Sequence, residues 1–65
     1  MTKYVIWNSF NEWKGTTEEN YNSYIQDARK IHAFTKNNGF YCVLDVKNFV
    51  KQFFKYSDDE IIILD

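Results

Sequence analysis

Short apolar runs alternate with stretches of helical spacing along this chain, and that alternation limits the fold more than any other feature. Lys3 to Trp7 (K-Y-V-I-W), Phe40 to Leu44 (F-Y-C-V-L) and Ile61 to Leu64 (I-I-I-L) are rich in β-branched and aromatic residues and read as strands. Between the first two, Thr16-Thr17-Glu18-Glu19 is a capping-box pattern whose glutamates suit the positive end of a helix dipole. Tyr21, Tyr24, Ile25, Ala28, Ile31 and His32 then form an apolar stripe, which predicts a helix from Thr17 to about Lys36, closed by Asn37-Asn38-Gly39. After the second run, Asp45 can cap a helix carrying Val46, Phe49, Val50, Phe53 and Phe54 at i, i+3, i+4, i+7 and i+8, ending near Tyr56. Ser57-Asp58-Asp59-Glu60 also fits a capping box, but too little chain follows for a helix, so it reads as a turn.

The order β-α-β-α-β predicts a small α/β domain over residues 1–65 with a three-stranded, largely parallel sheet and two main helices. An α+β arrangement with one antiparallel strand is the alternative. The strands are apolar on both faces, as in sheets covered on both sides. With strand one central, right-handed crossovers place the helices on opposite faces. With the strands in sequence order, one face stays bare and calls for a twin subunit or a partner.

Beginning with Met, the chain reads as one complete domain, and 65 residues bury only about 60% of their unfolded surface. A single cysteine, Cys42, permits no internal disulfide, and one His with one Cys cannot form a zinc cage, so neither metal nor cofactor is expected. The free thiol fits a reducing cytoplasm. A net charge of −1 argues against duplex DNA as a partner. The aliphatic run Ile61 to Leu64 is far too short for a membrane span or a signal-peptide core. Abundant Asn, Lys, Ile and Tyr with no Pro points to an AT-rich genome, such as a low-GC bacterium or its phage.

Aromatic residues make up 20% of the chain, more than two helices and three short strands can hide. Trp7, Phe10 and Trp13 recur at every third position, and the S-x-x-E pattern Ser9 to Glu12, with Gly15 beyond, predicts one helical turn carrying Phe10 and Trp13 on one face. Packing inside the core would account for these rings. The sharper expectation makes Phe10 and Trp13 the anchor for a protein partner, extended by Tyr21 and Tyr24, because large rings with few rotatable bonds dominate such contacts. Lys47, Lys51 and Lys55 line one helix face at i, i+4 and i+8, and Asp58, Asp59, Glu60 and Asp65 form an acidic patch. Both fit solvated surface; as contacts they would be separate rims that orient a partner and speed its association.

Signals for catalysis are weak. His32 sits inside an apolar stripe and Cys42 among apolar neighbours. Asp45-Val46-Lys47 resembles the acid-x-lysine of PD-(D/E)xK nucleases, but the Pro-Asp of that motif is missing and helix capping explains Asp45. No phosphate-binding glycine loop or nucleophile motif occurs. The expectation is a small, non-catalytic intracellular protein-binding module, an inhibitor or adaptor that occludes a larger enzyme. Its concrete form would be a phage or mobile-element protein blocking a bacterial defence enzyme such as a nuclease. A single-stranded nucleic-acid binder using the three lysines and exposed rings is the alternative, and a homodimer that hides the surplus rings is a third.

Overall fold

The computed structural model describes residues 1–9, 12–21 and 31–64. Its elements are β1 (Tyr4–Ser9), β2 (Glu12–Thr17), a single turn α1 (Glu18–Tyr21), β3 (His32–Thr35), the long helix α2 (Val43–Phe54) and β4 (Ile61–Leu64), with short 3₁₀ turns at Lys36–Asn38 and Asp58–Glu60. The strands form one sheet in the order β3-β2-β1-β4. β1 and β2 pair antiparallel from Tyr4↔Thr17 to Ser9↔Glu12, and β2 and β3 pair antiparallel from Glu12↔Thr35 to Gly15↔His32. β4 lies parallel to β1, from Tyr4↔Ile61 to Trp7↔Leu64.

The chain is thus a small mixed α/β fold, but it differs from the expected one in strand number and direction. Among the described residues the sheet has four strands rather than three, only the β1–β4 pairing is parallel, and there is one main helix. The arrangement stands nearer to the antiparallel alternative. Three local readings give way. In place of the expected helical turn, Ser9 ends β1, Glu12 begins β2, and Trp13 and Gly15 are strand residues, while Phe10 and Asn11 lie outside the described residues. One turn of helix gains few hydrogen bonds for the dihedrals it fixes, whereas the hairpin pairs six residues of each strand. Residues 32–35, expected at the end of a long helix, form β3, where Phe34 sits opposite Trp13. Of that helix only Glu18–Tyr21 is seen as α1, and Tyr24, Ile25 and Ala28 lie outside the described residues. Lastly, Phe40 to Leu44 is not a strand. Helix α2 already begins at Val43, and Asp45 acts from inside the first turn by accepting the Tyr41 and Cys42 backbone N–H groups at 2.8 and 3.2 Å.

Helix α2 lies across one face of the sheet. Tyr4 and Ile6 of β1, Trp13 of β2, Phe34 of β3 and Ile61 of β4 point to that face and pack with Val46 and Val50. Val43 and Phe54 extend the same helical stripe and are half-buried. On the opposite face Val5 and Thr16 are buried, and the Tyr21 ring lies 5.6 Å from Trp7.

Helix α2 ends on Lys55, whose φ of 60° places it in the left-handed region. That conformation strains any residue with a Cβ and is where glycine usually closes a helix. Lys55→Gly is therefore expected to stabilise the chain by about 0.5–1 kcal/mol, read as a raised midpoint in urea denaturation.

Candidate protein-docking groove

The apolar stripe of α2 is wider than the sheet beneath it. At about 100° per residue, Phe49 and Lys51 fall on opposite flanks of Val50. Val50 is fully buried, but Phe49 stays 42% and Phe53 68% exposed. Both rings overhang the β3 side, where the four-residue strand ends the sheet. With His32, Phe34 and Phe54 they wall a groove of about 250 Å³. None of these five side chains is a Lys, Arg, Asp or Glu.

Ring contacts fix the shape of this groove. Phe34 meets Phe40 and Phe49 edge to face at 5.5 and 6.1 Å, and Phe49 stacks on Phe53 at 5.6 Å. Phe53 meets Phe54 at 4.9 Å, and Phe54 stacks on Tyr56 at 5.4 Å. Such pairs add about 0.5–1.5 kcal/mol each beyond area burial, so the wall is preformed. At its far end His32 is held by the buried Tyr4, whose hydroxyl lies 3.1 Å from the imidazole Nδ1. Burial drives the Tyr4 hydroxyl pKa well above its ordinary value, so it stays protonated. A wider hollow of about 550 Å³ opens near the start of α2, lined among others by Trp13, Lys36, Tyr41 and Cys42.

Trp13 and Tyr21, expected in a partner anchor, do not line this groove. Trp13 is only 5% exposed and belongs to the core. Tyr21 is half-buried beside Trp7. Phe10 and Tyr24 lie outside the described residues, as does Asp65. The basic and acidic groups, expected as separate rims, meet each other. Asp58 accepts Lys51 at 2.8 Å and lies 3.6 Å from Lys47, and these lysines, Lys51 above all, hold its carboxyl below the usual range. Glu60 accepts the Ser57 backbone N–H at 2.9 Å and Lys3 at 2.9 Å, contacts that lower its pKa to about 2. The Ser57 hydroxyl bonds Asp59, lowering that carboxyl as well. Lys55, at the end of α2, has no ion-pair partner among the described residues.

Phe49 and Phe53 were visible in the sequence as part of the helical stripe, but the stripe alone assigns them to the core. Their overhang follows from the shortness of β3, a strand that the sequence pattern did not reveal. Comparison with protein families, with curated proteins and with solved structures finds no match for this chain, so its site is read from its own geometry.

Proposed function

We propose that this chain is a small, non-catalytic protein-binding module that docks through the Phe49–Phe53 groove and acts by occluding a larger protein, as an inhibitor or adaptor. The observation that carries this reading is Phe53, a large ring left 68% exposed beside a preformed aromatic wall. Rings of this kind, rigid and poor in rotatable bonds, are typical binding anchors. The coding bias toward Asn, Lys, Ile and Tyr supports a phage or mobile-element setting, with a bacterial defence enzyme as the occluded partner. The single-stranded nucleic-acid reading is weakened, because Asp58 already engages two of its three lysines.

The test compares wild-type and Phe53→Ala chains, each immobilised and exposed to lysate of a low-GC bacterium. Phe53→Ala should stay folded, with its thermal midpoint lowered by the loss of the Phe49 and Phe54 ring contacts, worth about 0.5–1.5 kcal/mol each, so both chains are compared well below that midpoint. A protein retained by the wild type should be released at least about tenfold faster by the variant, as expected of a contact anchor. Equal retention by both chains would move the contact off this groove.

A further inference from the structure

We infer that the groove receives an extended segment of the partner, which adds as a fifth strand along the outer edge of β3; this rests on the docking reading above. Among the described residues β3 is terminal in the sheet, with β2 on one side only. The Thr35 N–H donates to Asn38 Oδ1 at 3.2 Å rather than to β2, so this amide points away from the sheet. Backbone direction repeats every second residue in a strand, which turns the Ala33 N–H and C=O outward as well. Ala33 is exposed, and no described residue pairs with it from that side.

The unpaired edge and the aromatic groove are adjacent. His32 and Phe34, the residues on either side of Ala33, form the β3 wall of the groove, facing Phe49, Phe53 and Phe54 of α2. A strand hydrogen-bonded to Ala33 would therefore hang every second side chain over the groove. Main-chain bonds would supply affinity and the groove would select the side chains. With no Lys, Arg, Asp or Glu in the lining, those inward side chains are apolar.

Charge identifies the flanks. Lys3, Lys14, Lys47 and Lys51 each have a carboxylate partner, whereas Lys36 and Lys55 have none among the described residues. Lys36 directly follows β3, and Lys55 directly follows Phe54 at the opposite, His32 end. The segment that fits is short and extended, with alternating large apolar residues and acidic residues at its ends. A second copy fits less well through this edge. Antiparallel pairing of β3 with itself would bring Lys36 of each copy toward the Lys55 end of the other.

The test pans a phage-displayed random heptapeptide library against the immobilised wild-type chain. Selected peptides are then synthesised and titrated against wild type, Phe53→Ala and Ala33→Pro. Ala33→Pro removes only an amide that faces away from β2, a position where an edge strand tolerates proline. The expected result is enrichment of alternating apolar residues flanked by Asp or Glu. Affinity should drop tenfold or more with either variant, and with N-methylation of alternate peptide amides. Peptides that need Phe53 but ignore both Ala33→Pro and N-methylation would overturn strand addition while leaving the docking reading standing. Apolar residues at helical spacing would do the same. No enrichment, or binding indifferent to Phe53→Ala, overturns the inference, as would self-association of the wild type that Ala33→Pro abolishes. Should Ala33→Pro unfold the chain, the N-methylated peptides decide.

Discussion

Trp13→Ala is expected to unfold most of the chain, with a loss of about 3–5 kcal/mol. A domain of this size has a total stability of only about 3–10 kcal/mol, so one such loss removes much or all of it. Trp13 is 5% exposed and is the second residue of β2, opposite Asn8 on one side and Phe34 on the other. Its removal leaves a ring-sized void beneath α2 that the neighbouring strands cannot close without breaking register. Circular dichroism during urea titration checks this directly and avoids the fluorescence of the deleted ring. A wild-type midpoint for Trp13→Ala would show that the ring contributes little to the core. The contrast with Phe53→Ala is the informative one. The two substitutions remove rings of similar chemistry, yet one should act chiefly on folding and the other chiefly on binding, because only Trp13 is enclosed.

Sequence pattern located the elements that depend on local spacing and missed those that depend on distant partners. β1 and β4 were legible as apolar runs, the turn at Ser57 from its S-x-x-E motif, and α2 from the period of Val46, Val50 and Phe54. The same S-x-x-E spacing at Ser9 misled, because a capping box carries no information about whether Trp13 will find Phe34 across a sheet. Residues 32–35 gave no strand signal of their own: His32 and Ala33 are unremarkable in a helix, and β3 exists because β2 offers it an edge. The site was half-legible for a similar reason. Periodicity placed Phe49 and Phe53 near the core side of α2, but their exposure depends on how far the sheet extends beneath them. The charges were legible only singly, since the fold of residues 55–58 is what returns Asp58 to Lys47 and Lys51.

Gly15→Ala should destabilise the fold by about 3 kcal/mol, the upper end for overpacking, although it adds a single methyl group. Gly15 is not needed for its backbone; among the described glycines only Gly39 has a positive φ. What it provides is space. A Cβ at position 15 would meet the Tyr4 ring at 2.6 Å and its hydroxyl oxygen at 2.8 Å. The ring cannot swing aside freely: Tyr4 is fully buried, its ring lies 5.4 Å from that of Phe54, and its hydroxyl engages His32 at 3.1 Å. The obstacle is therefore one side chain, and a double-mutant cycle isolates it. With Tyr4→Leu in place, Gly15→Ala should be neutral or mildly stabilising, since glycine inside a strand is worth about 0.5–1 kcal/mol less than alanine. The coupling between the two sites should then exceed about 2 kcal/mol, within the range for residues in contact, measured by urea denaturation of all four proteins. An unchanged penalty in the Tyr4→Leu background would exonerate the ring. The same displacement reaches the groove, because Tyr4 steadies His32 and Phe54, two of its walls. Under conditions where Gly15→Ala remains folded, it should weaken partner binding without touching any exposed ring, which would tie the packing of β1 against β2 to the shape of the docking surface.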